Sequence, residues 1–170
     1  MSTEPIKLLV ALILAEMELQ PEQVTIYNQK FDIPTDERLY INLAVLGVKT
    51  FAARNHWAPD PISGNLTEIQ NINRQELISV LAYSRGPAAR ERNWEIPLVF
   101  SSIRAEQVME ANSFSIGRIP VAMNDVSEQD GTSRLNRYSF VIPLLSAYQK
   151  VKAVDYYDTF RGPLITTNCR

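Results

Sequence analysis

The residue types that most often perform catalysis are sparse in this chain. Its 170 residues include one histidine, His56, and one cysteine, Cys169. A Ser–His–acid or Cys–His relay needs a base that a third group orients, and no such group is evident around His56. One histidine and one cysteine at this separation cannot make a zinc site without carboxylate ligands. The sequence therefore predicts neither a nucleophilic active site nor a metal centre.

Three further polar stretches each have a simpler structural interpretation. Residues 85–87, Arg-Gly-Pro, place a proline where a phosphate-binding loop needs free N–H groups. Asp125, Glu128 and Asp130 lack the remaining ligands of a calcium loop, so a solvated turn is the better interpretation. Residues 155–158, Asp-Tyr-Tyr-Asp, follow a predicted strand, where such residues more often pack or contact another subunit than line a pocket. We expect no cofactor and no enzyme activity.

The composition is that of an ordinary folded protein. The hydrophobic fraction is 45%, the formal net charge is −2 and the pI is near 5.5, whereas nucleic-acid binders usually carry a basic excess. A lone cysteine cannot form an internal disulfide, and the apolar run at residues 8–15 is shorter than the ~20 residues of a membrane span. We expect one domain over residues 1–170, made in the cytoplasm without a targeting segment and not bound to a membrane.

The clearest secondary-structure signal lies in residues 133–160. Alternate positions are apolar, which places on one face of a strand the side chains of Tyr138, Phe140, Ile142 and Leu144. The alternation breaks at Ser146, so we expect a core strand that continues as an exposed arm. Pro143 has no N–H for the ladder, which predicts an edge position or a bulge.

The other elements follow in the order helix, strands, helix, strands. A helix over residues 6–17 is apolar nearly all round, which predicts burial on a second side by its own core or by a neighbouring subunit. A clear alternation predicts a strand at residues 39–45, and further strands are predicted at residues 24–27, 70–84 and 116–123. A helical region follows residue 86, and Pro97 kinks or restarts it. Residues 55–65 predict a long loop, and residues 124–133 a polar turn with a hairpin signal at Asp130 and Gly131.

Together these elements predict an α+β fold with a mostly antiparallel, mixed sheet, two main helices packed on it and projecting β-hairpin arms. In order and spacing, several segments resemble the tail-terminator and neck proteins of contractile-tailed bacteriophages. They are Ile-Pro-Thr-Asp at 33–36 before the strand at 40–45, the helix around 95–102, the turn ending Arg-Leu-Asn-Arg-Tyr at 134–138, and Tyr-Tyr-Asp-Thr-Phe at 156–160. The resemblance touches about half of the chain.

This resemblance implies a structural virion protein that forms a ring, typically of six subunits, at the head-proximal end of the tail. Such a ring caps the tail tube, stops its polymerisation and joins the tail to the head connector. The implied partners are further copies of the chain, tail tube and sheath proteins, and head–tail connector proteins. Genome DNA would only pass transiently through the lumen. The implied location is the virion, after assembly in the host cytoplasm.

Alternative interpretations are another ring of the neck or baseplate, a small enzyme with a dispersed site, and a monomeric binding module that uses the loop around Trp57. For the ring, the first helix, the charged turn with the arginines after it, and the exposed arm supply the candidate contacts. These candidate subunit or partner contacts are Leu8, Leu12, Asp125, Glu128, Asp130, Arg134, Arg137, Lys150, Lys152, Tyr156, Tyr157 and Asp158.

Overall fold

The structure is a computed structural model that describes residues 4–26, 34–59, 66–120, 123–130 and 133–153, with the backbone alone at residues 129, 130, 133 and 134. The helices are α1 (Pro5–Glu16), α2 (Ala88–Arg92), α3 (Glu95–Phe100) and α4 (Ile103–Ala111), with a 3₁₀ turn at Pro21–Gln23. The strands are β1 (Val24–Ile26), β2 (Tyr40–Pro59), β3 (Leu66–Ser84), β4 (Phe114–Ile116), β5 (Asn124–Asp125), β6 (Glu128–Asp130) and β7 (Ser133–Ala153).

The strands form a mixed and mostly antiparallel sheet in the order β1-β2-β3-β7-β4. β1 runs parallel to β2, and the other pairs are antiparallel. The central strand β3 pairs along nearly its whole length with β2 on one side and β7 on the other. The α+β class and the mostly antiparallel, mixed sheet are therefore confirmed.

The core lies between one face of this sheet and the helices. The alternation at residues 138–144 faces the core as predicted, because Phe140, Ile142 and Leu144 are buried there and Tyr138 is partly buried against them. The ring of Phe100 in α3 meets that of Phe140 edge to face, with centroids 6.3 Å apart. The neighbouring strands add Ile41, Leu43, Ile78 and Val80 to the same buried cluster.

Helix α1 is covered on more than one side within the chain itself. Ile6, Leu9 and Ile13 are buried in the core, and Leu8 packs partly buried against it. Leu12 is only 3% exposed. The sequence left open whether the second side of α1 is buried by the chain's own core or by a neighbouring subunit. The structure shows that the chain's own core buries most of it.

Pro143 lies where the outer strand ends. β4 pairs with residues 144–146 of β7, and the N–H of Gly117 then donates to the carbonyl of Pro143 at 2.7 Å. The N and O of one strand residue point to the same side, so the missing N–H of Pro143 faces away from β3 and costs no ladder bond. β7 lies between β3 and β4 in the sheet, so Pro143 is not on an edge strand, but the outer ladder ends beside it.

The strand predicted over residues 116–123 is wrong beyond residue 116. Residues 117–120 leave the sheet, and residues 121–122 lie outside the described part of the chain. Gly117 packs directly on the Pro143 ring, since a Cβ at Gly117 would lie 2.6 Å from Cγ of that proline. Pro120 offers no N–H to continue a ladder.

The long loop predicted at residues 55–65 is also wrong in its first half. Residues 55–59 remain paired with β3, up to Pro59 opposite Leu66, and residues 60–65 lie outside the described residues. Although these residue types favour a loop, they extend a strand that is already paired in register with β3, and the cross-strand pairing keeps them in the sheet. β2 also carries two bulges, at Leu46 and Phe51.

The second main helix is in fact three short ones, α2 to α4. Pro97 is the third residue of α3, a position whose N–H has no partner within a helix, so its predicted role in restarting the helix is confirmed. α4 begins afresh because the Oγ of Ser102 accepts a bond from the Ala105 N–H at 3.1 Å. Within the described ranges, no helix has the length and apolar character needed to cross a bilayer.

The predicted polar turn at residues 124–133 is partly paired. β5 lies against residues 138–139 of β7, and β6 lies against residues 133–135. Asp130 is opposite Ser133, which confirms the hairpin predicted there, and residues 131–132 lie outside the described residues. The N–H of Val126 donates to the carbonyl of Arg137 at 2.9 Å.

Two adjacent residues of β7 test which face of this strand points towards the core. Ile142 is fully buried, whereas Val141 is 40% exposed on the other face. Ile142→Asp should lower the free energy of unfolding by at least ~3 kcal/mol, because it leaves an unpaired charge in the core. Val141→Asp, the matched control, should change it by less than about 1 kcal/mol. Urea denaturation of both variants measures the difference, and equal losses would contradict the assignment.

Candidate interaction site

Past the helices, the three long strands continue as a ladder of residues 48–59 of β2, 66–75 of β3 and 147–153 of β7, called here the strand extension. At a rise of ~3.3 Å per residue, its longest strand spans about 40 Å. Every residue of the strand extension is at least partly exposed. The part of the chain that the structure describes therefore provides no cover for either of its faces.

The strand extension nevertheless carries large apolar side chains. Six of them are between 42% and 59% exposed, namely Val48, Phe51, Trp57, Ile72, Tyr148 and Val151. Scattered apolar residues are normal on a surface, whereas a large contiguous patch marks an interaction site. In the register of the ladder, Ile72 lies directly opposite Tyr148, so at least these two form a continuous patch.

Both edges of the strand extension are open within the described residues. β1 covers β2 only at residues 41–43, and β4 covers β7 only at residues 144–146. Beyond these short strands the outward N–H and C=O groups face no described strand. An exposed edge of this length is a template for another strand.

The strand extension and the other described residues, called here the body, carry net charges of opposite sign. The strand extension has five basic residues and one acidic one, a net charge of +4. The other described residues include nine basic and fourteen acidic ones, a net charge of −5. The net charge of the whole chain is only −2, but the strand extension is basic and the body is acidic.

A polar cluster marks the point where the helices stop covering the sheet. Arg74 and Glu76 on β3 form an ion pair at 2.8 Å, and the Arg74 guanidinium lies 6.0 Å from the centre of the Tyr148 ring on β7. Glu76 is buried, so its carboxylate is neutralised inside the protein rather than presented to a substrate. We interpret this cluster as a structural link between β3 and β7.

The opposite end of the sheet holds an acid–tyrosine cluster. Oδ2 of Asp36 accepts hydrogen bonds from Arg38 Nε at 2.6 Å and from the Tyr40 hydroxyl at 2.8 Å. The hydrogen bond from Arg38 is the main reason that the pKa of Asp36 is lowered. Tyr40 stacks on Tyr83 with ring centroids 5.7 Å apart. Burial, with a smaller contribution from Tyr40, raises the pKa of Tyr83 to about 12.

The residues considered for catalysis do not come together. His56 is exposed on β2, where Nδ1 lies 3.5 Å from the Asn71 side chain, and Cys169 lies outside the described residues. The Oδ1 atom of Asp125 accepts a bond from the Ser127 N–H at 2.9 Å, and Glu128 forms an ion pair with Arg137. The described residues contain no group of three potential metal ligands.

The predicted contact residues have three different outcomes. Lys150 and Lys152 are exposed on the strand extension, while Leu12 is buried and Leu8 partly buried in the core. Arg137 is partly buried beside β6. Asp125 and Glu128 are exposed on the turn before β7. The other five lie outside the described residues, either whole or by their side chains, namely Asp130, Arg134, Tyr156, Tyr157 and Asp158.

One exposed surface was not predicted from the sequence. Helix α4 exposes Ile103, Glu106 and Glu110, and their spacing of three and four residues places them on one face of the helix. Ile103 is 75% exposed, the largest value among the exposed large hydrophobic residues. The spacing itself was visible in the sequence, but only the structure shows that this face is turned away from the core.

No protein-family model matches the chain, and no curated protein matches it significantly.

The Tyr83 environment predicts a loss of stability at high pH. Its pKa of about 12 exceeds the ordinary value of 10.0, so between these two values the unfolded chain releases a proton that the folded protein retains. Stability should therefore be complete below pH 10 and fall as pH rises towards 12, by up to about 2 kcal/mol from this residue. Tyr83→Phe should reduce the slope of unfolding free energy against pH in this range. Parallel slopes for the parent and the variant in urea titrations would refute the assignment.

Proposed function

We propose that this chain is a structural, non-catalytic ring subunit of a tailed-bacteriophage virion, placed at the head-proximal end of the tail. In this proposal the ring caps the tail tube and joins it to the head connector. Its partners are further copies of the chain, the tail tube and sheath proteins, and the connector proteins. DNA passes through the lumen without being held there. The order of sequence segments that resemble tail-terminator and neck proteins supports this choice of location.

The observation that carries the proposal is the strand extension. It has two open edges, exposed aromatic side chains and no described cover. In a monomer, about 40 Å of uncovered three-stranded ladder buries little apolar surface, and its open edges favour aggregation. Burial against another subunit turns the same surface into an interface. The strand extension is then a projecting hairpin arm of the kind that the resemblance implies.

Edge pairing is the simplest way for this arm to join subunits. A strand added to an open edge gains affinity from main-chain hydrogen bonds, and its alternate side chains provide specificity. Because β7 has no bulge against β3, the outward direction of the Pro143 carbonyl repeats at every second residue. The N–H groups of Gln149 and Val151 therefore face the open edge.

Replacing one outward N–H tests this mode of assembly. Gln149→Pro removes an edge donor but no bond between β7 and β3, so it should weaken the oligomer at least tenfold in dissociation constant while shifting the melting temperature little. Gln149→Ala, which keeps the N–H, is the matched control and should assemble like the parent. Light scattering after size exclusion gives the masses.

The parent protein should form a closed ring in the same measurement, with one discrete mass at high concentration. A monomer at every concentration would refute the proposed function. A ring that Gln149→Pro leaves intact would refute only the edge pairing. Head-to-tail joining in a complementation assay then distinguishes the head-proximal end of the tail from other rings of the virion.

A further inference from the structure

We infer that the basic inner face of the strand extension docks on the acidic, outward face of helix α4 in a second copy of this chain. The inner face is the side of the sheet that continues the core-facing side of β3 and β7. This inference rests on the proposed function, since it specifies how one subunit of the ring recognises the next. The two surfaces belong to different parts of the chain, so the interface is heterologous. Copies joined in this way form a closed ring when the rotation from one subunit to the next is a whole fraction of a full turn.

The donor surface is defined by the register of the ladder. Ile142 faces the core, and every second residue of β7 after it shares that side, because no bulge interrupts β7. Tyr148, Lys150 and Lys152 therefore lie in one row on the inner face. All three are exposed, and among the described residues neither lysine has an ion-pair partner.

The cross-strand neighbours extend this surface. Ile72 lies beside Tyr148, and Glu68 lies beside Lys152 with Trp57 on its other side. Glu68 accepts a hydrogen bond from the Asn55 side chain at 3.0 Å. The inner face thus carries Lys150, Lys152, one carboxylate and an apolar group, and Arg74 on the same side is already paired with Glu76. An apolar centre with a charged rim is usual for a protein interface.

The acceptor surface is the face of α4 that carries Ile103, Glu106 and Glu110. All three are exposed, and within the described residues neither glutamate makes an ion pair. By contrast, Arg104 on the same helix is occupied by Glu16 at 3.5 Å. The α4 face therefore offers one large apolar side chain and two uncompensated carboxylates.

The spacings on the two surfaces match. Alternate residues of an antiparallel strand are ~6.8 Å apart, and residues four apart on a helix are ~6 Å apart along its axis. Lys150 and Lys152 can therefore meet Glu106 and Glu110 in order, with Tyr148 next to Ile103. The apolar contact contributes affinity, and the charges select the partner and its orientation.

Charge reversal on each surface tests the contact. Lys150→Glu with Lys152→Glu should weaken ring formation at least tenfold in dissociation constant, and so should Glu106→Lys with Glu110→Lys. All four changes in one chain should restore the ring. A one-to-one mixture of the two double variants should also restore it, because each arm then finds a complementary helix on the other variant. The readout is mass by sedimentation velocity at 50 and 500 mM NaCl.

The matched control reverses two charges on the other face of the same arm. Lys49 and Arg54 are exposed and lie opposite Gln75 and Asn71, on the side of the sheet away from the core. Lys49→Glu with Arg54→Glu should leave the ring intact. Loss of the ring in this control to the same degree would show that net charge alone matters and would overturn the inference.

The remaining outcomes separate this inference from the proposed function. If the parent is a monomer throughout, both fail. If the parent forms a ring and neither double reversal weakens it, only the inference fails. The basic arm would instead be a nucleic-acid contact if Lys150→Glu with Lys152→Glu abolished binding of a short DNA duplex, measured by fluorescence anisotropy, while leaving the ring unchanged. That result would also overturn the inference.

Discussion

The continuous pairing of β3 with both of its neighbours determines everything else in this fold. Where the helices cover the sheet, a buried face holds the strands in register, because a slip of one residue would turn every core side chain towards solvent. The strand extension has no buried face, but it consists of the same three hydrogen-bonded strands and therefore keeps the same register. The strand extension is therefore positioned by a core that it does not touch.

The shared register also determines which side chains of the strand extension lie on each of its two faces. β2 has bulges at Leu46 and Phe51, whereas β7 pairs with β3 without a register shift. The alternation of β7 therefore runs unbroken from Ile142 in the core to Lys152 in the strand extension. Bulges on an open edge strand are one means by which proteins limit unwanted pairing. Within the described residues β7 has no such bulge, so its outward N–H and C=O groups keep a regular spacing that another strand can pair with.

Sequence reasoning predicted the elements whose signal is local and periodic. The period of two in β7 correctly placed Phe140, Ile142 and Leu144 on the core, and the helical period of the first segment correctly predicted α1. The errors arose where tertiary contacts override composition. Residues 55–59 look like a loop but are held as a strand by β3, and residues 117–120 look like a strand but end it, since Gly117 packs on the ring of Pro143.

The interaction surface was predictable only in part. Lys150 and Lys152 were candidates because they continue a strand beyond its apolar alternation, and the structure places both on the exposed strand extension. Leu12 was a candidate because apolar residues surround α1, but periodicity cannot distinguish a second buried side from a surface left for a partner. The α4 face was missed because two glutamates and an isoleucine are unremarkable until their exposure is known.

Hydrogen–deuterium exchange tests the central claim, that the strand extension is an assembly surface, most directly. Peptides covering residues 48–59 and 147–153 should exchange rapidly in dilute protein and become protected when the protein is concentrated enough to oligomerise. Peptides from the buried half of β3 should exchange slowly and equally in both samples. An oligomer in which the strand extension stays unprotected, while some other surface of the body becomes protected, would contradict the claim.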